Sequence, residues 1–332
     1  MNFKKISLSF KALIKILNQL LLGKKYFRYL FFKDVKKSLM NREPFLIEKE
    51  LETKKIAIVL QGPYIEKNNF TFQTIKRYRK IFPESILILS TWSVPENDKS
   101  YLKKIHVEVI INEKPIYFGI ANVNLQIVST KAGIHRAKKL GADYVLKTRT
   151  DQRIFNPNLL IYLDCMLDAF PLSHNYTNQH SRLVACSLNT FKLRMYGISD
   201  MFLFGHIHDM NLYWDVPLDN RKLDASIKLN TWKSHSNAQL SEVFFCTNYL
   251  RSLEREVEFT LEKSLKAIEE HFVIVDQNTI DLFWYKYTYD EDRYSHGMYN
   301  SQLTFNDWLI LHTNNNIVYN EFMTDLKIDG GK

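Results

Sequence analysis

The sequence predicts an α/β protein with a mostly parallel, Rossmann-like sheet flanked by helices. Three observations carry this. Short apolar runs of strand length recur through the first half of the chain. Stretches with helical periodicity separate them, and strands that alternate with helices pair in parallel. The fourth of these runs, Tyr144–Leu146, ends in a burst of charge, Lys147, Arg149, Asp151 and Arg153, at the edge where open α/β sheets bind ligands.

The chain opens on a different kind of element. Within residues 6–22, Phe10, Leu13, Ile14, Leu17, Leu20 and Leu21 share one helical face, with Lys11, Lys15, Asn18 and Gln19 elsewhere. This is a basic amphipathic helix, too interrupted to span a bilayer and unlike a signal peptide. Tyr26–Phe32 then mixes aromatics with cations, which favours a membrane interface over the alternative of a helix docked on the body of the protein. Residues 41–54 read as a polar linker. Ile56–Leu60 is the first buried strand, closed by Gln61-Gly62-Pro63, and a strand followed by a Gly-Pro turn opens an α/β unit. Phe70–Ile81 is a basic helix stopped by Pro83, Ser85–Ser90 a second strand, His106–Ile111 a third, and Ala121–Leu140 a long helix before the fourth.

Beyond the charged run, Asn158–Ala169 is predicted helical, Leu183–Ser187 a strand, and Gly197–Gly205 another strand that Asp200 enters. Asp209–Trp214 follows as a helix. Residues 215–237 read as loop. Asn237–Arg251 reads as a helix with Glu242 in its first turn, and an aromatic-rich tail begins near His271. The expected organisation is a segment 1–45, one domain over 55–315, and a tail 316–332.

Composition narrows the function. With 332 residues, 45% hydrophobic and few Gly or Pro, the chain can bury a sizeable core. Residues 1–40 hold ten cations against Asp34 alone, which accounts for the whole net charge of +9 and leaves the remainder formally neutral. A nucleic-acid-binding body carries its own basic excess, so nucleic acid is not an expected partner. The basic end instead suits acidic lipid headgroups. Cys165, Cys186 and Cys246 are far apart and odd in number, as reduced thiols of a cytosolic protein are. The sequons at Asn69 and Asn175 are then chance.

No Gly-rich phosphate loop, nucleophile elbow or zinc-type Cys/His spacing is present. His206 and His208 are spaced as ligands can be, but such pairs are more often surface or capping residues. The charged strand end is the strongest candidate site. If strand geometry continues, Lys147, Arg149, Asp151 and Arg153 fall on one face. Three cations around one carboxylate can hold a phosphorylated ligand, with the carboxylate left for a metal or a sugar hydroxyl. Surface ion pairs at a strand end give the same spacing.

The strand ending QGP (residues 60–63), SILILSTW (85–92), NLQIVSTKAG (124–133), the KTRTDQR run and ISDMFLFG (198–205) together resemble the WavE family of lipopolysaccharide-synthesis proteins. The resemblance covers roughly residues 55–310. It implies a glycosyltransferase of GT-A type, moving a sugar from a nucleotide-sugar donor to a lipid-linked or glycan acceptor of the bacterial surface, lipopolysaccharide or capsule. The matching location is the inner face of the cytoplasmic membrane, as a peripheral protein. GT-A enzymes end this strand in an Asp-x-Asp pair that holds a divalent ion on the diphosphate. Here the pair is Arg149-Thr150-Asp151, so either Asp151 alone binds Mg²⁺ or Mn²⁺, or Arg149, with Lys147 or Arg153, does the ion's work. The resemblance also places Gln61, Gly62 and Pro63 at the nucleotide base and Thr130 and Lys131 near the nucleotide. For the base that takes the acceptor's proton it favours Glu242, with Asp200 as rival. A nucleotidyl- or phosphosugar transferase and a non-catalytic scaffold of a glycan-assembly complex are the alternatives.

Overall fold

Residues 54–173, 178–223, 226, 228–285, 301–313 and 321–328 are described by a computed structural model. The basic N-terminal helix, the aromatic run 26–32, most of the linker, the second sequon and residues 316–320 lie outside them. The chain divides into two compact units, residues 1–47 with 285–293, of which Tyr285 alone is described, and residues 48–284 with 294–332. The larger unit holds every element among the described residues.

Its centre is a seven-stranded sheet. The strands are β1 (Ile56–Gln61), β2 (Ile86–Thr91), β3 (Val107–Ile111), β4 (Tyr144–Arg149), β6 (Leu183–Cys186), β7 (Leu203–His206) and β8 (Phe272–Val275). Their order is β3-β2-β1-β4-β7-β6-β8. Short β5 (Gln152–Ile154) and β9 (Leu282–Trp284) pair separately. β1, β2, β3 and β4 are mutually parallel, and so are β6 and β8. β7 runs antiparallel to both its neighbours. Strands covered on both faces need near-continuous apolar runs. All six residues of β1 are buried, which is why the AIVL stretch reads so plainly.

Helices α1 (Phe70–Ile81), α2 (Glu96–Lys104), α3 (Val123–Lys139), α4 (Leu159–Ala169) and α5 (Ile207–Trp214) flank the sheet, with α6 (Trp232–Asn237), α7 (Ser241–Ser252), α8 (Leu261–His271) and α9 (Phe305–Thr313) following. α3 lies so close to the sheet that a Cβ on Gly133 would come within 2.4 Å of Val59 Cγ1. A helix interior tolerates glycine poorly, and here the contact with β1 requires it.

Four expectations change. β4 runs on to Arg149, because Lys147, Thr148 and Arg149 pair across to Val59, Leu60 and Gln61. The chain then turns at Thr150 and Asp151, so the single charged face that continued alternation would give is broken after Arg149. Residues 197–202 are not strand: Ser199 N donates to Thr190 Oγ1 (3.0 Å), and Asp200 sits in a loop before β7. The loop predicted over 215–237 contains α6, started by a capping box in which Ser234 N reaches Thr231 Oγ1 (3.0 Å) and Thr231 N reaches Ser234 Oγ (3.1 Å). α2, α8 and α9, unread in the sequence, complete the helical layers. The three cysteines are free, with Cys186 and Cys246 buried.

Candidate active site

Reversal of β7 decides what gathers at the ends of the parallel strands. β1 delivers Gln61 there and β4 delivers Arg149. The loop entering β7 brings Asp200 to the same edge, and the loop leaving β6 brings Asn189. The first turn of α7 adds Glu242, which meets Asn189.

Arg149 and Asp151 form a two-toothed pair. Nε of Arg149 donates to Oδ1 (2.8 Å) and Nη2 to Oδ2 (3.0 Å). Trp284 Nε1 also donates to Oδ2 (3.0 Å), and the Arg149 guanidinium stands 6.0 Å from the Trp284 ring centroid. Burial alone would raise the Asp151 carboxyl, but the charge and hydrogen bonds of Arg149 and the Trp284 bond outweigh it and hold it below the usual range. Asp151 is therefore ionised, with hydrogen bonds on both oxygens. It belongs to no cluster of three ligand-type side chains among the described residues. A hard divalent ion takes six or more oxygen ligands, and a carboxylate held in an arginine fork does not fit that role.

Lys147 is wholly buried. Its ammonium donates to the Asp200 backbone carbonyl and lies 4.6 Å from the Trp214 ring centroid. Burial pushes it down to about 7, while Asp200, Asp151 and Glu242 pull it back up and Arg149 pushes it further down. Asp200 is also buried. Desolvation and the nearby Glu242 raise its carboxyl, against Lys147, Arg149 and a hydrogen bond with Gln126. Both groups are buried, each feels the other's charge, and burial drives each toward its neutral form. Glu242 stands at the rim, partly exposed. Its Oε1 accepts from Asn189 Nδ2 and lies 3.7 Å from Arg194 Nη1. Lys147, Arg149, Asp151, Asp200 and Glu242 are thus electrostatically one cluster.

The Gln61 turn borders it. Gln61 Oε1 accepts from Ser129 Oγ (2.9 Å), and its backbone carbonyl accepts from Thr150 N (3.0 Å). Gly62 has φ +123°, and a Cβ there would lie 2.8 Å from Thr150 Oγ1. Thr150 Oγ1 donates to the Pro63 carbonyl (2.7 Å). The three turn residues are locked to the charged turn by Thr150. Thr130 and Gln126, one turn apart on α3, keep Oγ1 and Oε1 buried without a hydrogen-bond partner among the described residues.

Two predicted residues point elsewhere. Arg153 leaves the charged face: Nε donates to Thr74 Oγ1 (2.9 Å), Nη2 to the Phe70 carbonyl (2.9 Å), and the guanidinium lies 4.3 Å from the Phe70 ring centroid. Lys131 pairs with Asp215 at the surface. Asn189, Arg194, Trp214 and Trp284 join the site unannounced by any sequence signal. They come from distant segments, and no spacing links them to the charged run. His206 and His208 lie at the other end of the sheet, where His206 is paired with Tyr144 at the start of β4. There His180, His206 and Asp209 bring ligand-type atoms together.

The chain matches the family described as WavE lipopolysaccharide synthesis over residues 56–325. A search of curated proteins finds no match. Among solved structures it is similar to the glycosyltransferase GlyE of Streptococcus pneumoniae TIGR4, at 10% identity, 79% of this chain, 60% of that one and TM-score 0.36. The galactosyltransferase LgtC, solved with donor and acceptor sugar analogs, gives 8%, 74%, 82% and 0.32. A cytidylyltransferase of Leptospira borgpetersenii serovar Hardjo-bovis gives 11%, 60%, 94% and 0.30. These likenesses are too distant to speak to chemistry.

Proposed function

The chain belongs to the WavE lipopolysaccharide synthesis family, and from that premise we propose that it is a glycosyltransferase using a nucleotide-sugar donor. The observation that carries this reading is the single cluster at the strand ends: a fixed guanidinium on a buried carboxylate, a buried lysine beneath it, and a partly exposed glutamate at its rim. With Nε and Nη2 held by Asp151, the Arg149 guanidinium offers a diphosphate its fixed positive charge, which persists at every working pH. Arg149 stabilises the charge that grows on the leaving nucleoside diphosphate, largely an electrostatic task. Asp151 and Trp284 hold the guanidinium in place. Gln61 to Pro63 border the nucleotide, and Thr130, whose buried hydroxyl has no hydrogen-bond partner among the described residues, follows Gln61's partner Ser129 on α3. Of the two carboxylates, Glu242 is the base. It is at the rim, whereas Asp200 is buried and serves to balance Lys147. The acceptor oxygen attacks the anomeric carbon, the bond from that carbon to the diphosphate breaks, and Glu242 takes the hydroxyl proton.

The test is a thermal-shift screen against UDP-, GDP-, CMP- and dTDP-sugars with and without Mn²⁺, followed by product analysis. A ligand of the native state raises the midpoint. The reading expects one nucleotide family to do so, Arg149→Ala to lose the effect, and nucleoside diphosphate to be released. Pyrophosphate or nucleoside monophosphate would instead identify a nucleotidyl- or phosphosugar transferase. Activity lost to EDTA and restored by Mn²⁺ would overturn the role given to Arg149.

The basic segment 1–40 supports a peripheral place on an anionic membrane, where a lipid-linked acceptor is exposed. No helix among the described residues is long and apolar enough to cross a membrane. Sedimentation with vesicles containing anionic lipid should be lost on deleting residues 1–40. Equal binding by the truncated chain would refute the anchor.

A further inference from the structure

His206 closes β7 at the opposite end of β4 from the charged cluster, roughly 17 Å away at strand rise. It sits edge-on to Tyr144 with ring centroids 5.5 Å apart, and its Nδ1 accepts a long bond from His208 N (3.3 Å) at the start of α5. One residue further, Asp209 is completely buried. Oδ1 accepts from His180 N (3.0 Å), and Oδ2 from Ser181 N (2.9 Å) and Ser181 Oγ (3.4 Å). Those bonds seat the loop before β6. The His180 ring then lies flat on His206, with centroids 4.6 Å apart and planes at 11°, and 4.4 Å from His208. His180 Nδ1 is 3.9 Å from Asp209 Oδ1.

Two features of this arrangement suit a bound cation. Asp209 is a buried carboxylate with no Lys or Arg partner in an ion pair among the described residues, and buried charges are normally paired or metal-bound. Three imidazoles also crowd together, with His180 stacked on His206 and tilted against His208. A divalent cation answers both, because it supplies the positive charge and uses neutral imidazole lone pairs.

We propose that His180, His206 and Asp209 form a binding site for a divalent transition ion of the zinc type, which clamps the loop before β6 to the junction of β7 and α5. One nitrogen from each imidazole and one Asp209 oxygen already lie within 4.8 Å of one another. Zinc bond lengths near 2.0–2.1 Å put tetrahedral ligand atoms about 3.3 Å apart, so the set must close by about 1.5 Å. His180 has the freedom for this, since its side chain is 54% exposed. Two imidazoles and a carboxylate leave a fourth position for water or His208. This donor set suits zinc, nickel or cobalt rather than magnesium. The site is separate from the charged cluster and does not depend on the reading of that cluster.

The experiment uses the full chain without a polyhistidine tag, stripped with chelator and titrated with ZnCl₂ by calorimetry. One zinc per chain is expected, with a rise in thermal midpoint. Co²⁺ should give visible absorption bands of a nitrogen–oxygen site. His180→Ala is the decisive variant, because its ring is half exposed and its backbone bond to Asp209 survives. It should weaken zinc at least tenfold and abolish the cobalt bands, as should His206→Ala. Zinc bound equally well by His180→Ala, or no zinc bound by the parent chain, would overturn the proposal. Asp209→Ala is a poor test alone, since it also releases two backbone amides.

Discussion

Arg149→Ala separates catalysis from scaffolding. The substitution removes both arms of the fork and leaves Asp151, 7% exposed, with the Trp284 bond. Stranding a buried partner costs about 3–5 kcal/mol. The Arg149 side chain is 23% exposed, so water restores part of the loss and about 2 kcal/mol is expected. If Arg149 also stabilises the leaving diphosphate, kcat should fall about 10²- to 10³-fold, the loss typical of one preorganised donor at a growing charge. Arg149→Lys keeps the cation and loses the fork. It should cost about 1 kcal/mol of stability and roughly tenfold in kcat. The assay is nucleoside diphosphate release at saturating donor, read beside the thermal midpoint of each variant. A kcat within about threefold of the parent for Arg149→Ala, despite the lowered midpoint, would show that the fork only braces the turn. A change in KM alone would mean that Arg149 binds the donor equally in ground and transition states.

Three further outcomes are expected. Glu242→Gln keeps the shape at the rim and should lower kcat about 10²- to 10⁴-fold with little change in midpoint, as loss of a general base does; a normal rate would return the role to Asp200. Lys147 is held at about 7 in the folded chain against 10.5 unfolded, so the unfolded state holds more protons between those values and stability should rise with pH across them. Between pH 7 and 9 urea unfolding should show a gain of about 2 kcal/mol that Lys147→Met lacks, and equal slopes would mean Lys147 stays charged. Asp200, raised by burial and by Glu242, contributes the opposite slope at lower pH, from about 3.8 upward. Gly62→Ala should destabilise by about 1–3 kcal/mol, from its positive φ and the contact with Thr150, and a neutral result would mean that the turn can relax.

The parallel half of the fold was legible because its strands are buried on both faces and so are written as unbroken apolar runs, as in β1 and β2. Edges were harder. β4 looked finished at Leu146 because Lys147 and Arg149 are charged, yet both remain in register with β1. Lys147 could not be read as buried, since what buries it, Trp214 and the Asp200 loop, is more than fifty residues away. Residues 197–202 looked like strand because the apolar run after Asp200 continues into β7, but they are buried residues of a loop. Arg149, Asp151 and Asp200 were singled out by chemistry, and Glu242 by the family resemblance. Their convergence was not, because it depends on the antiparallel course of β7. Arg153 leaves the charged face for a local reason: alternation stops where β4 stops.

The order of strands also has a consequence for how the chain acquires its site. Residues 56–149 supply four adjacent strands of the sheet, and residues 183–275 supply the other three. The seam between them is the β4–β7 pairing, where Lys147 lies opposite Leu203. Arg149 and Lys147 belong to one side of that seam, and Asp200, Asn189 and Glu242 to the other. Neither half can hold the site alone. Until β7 docks, Lys147 keeps its water, so its desolvation opposes the docking step and not the formation of the parallel half. Burying Lys147 and bringing Asp200 to Arg149 therefore both require the β4–β7 pairing.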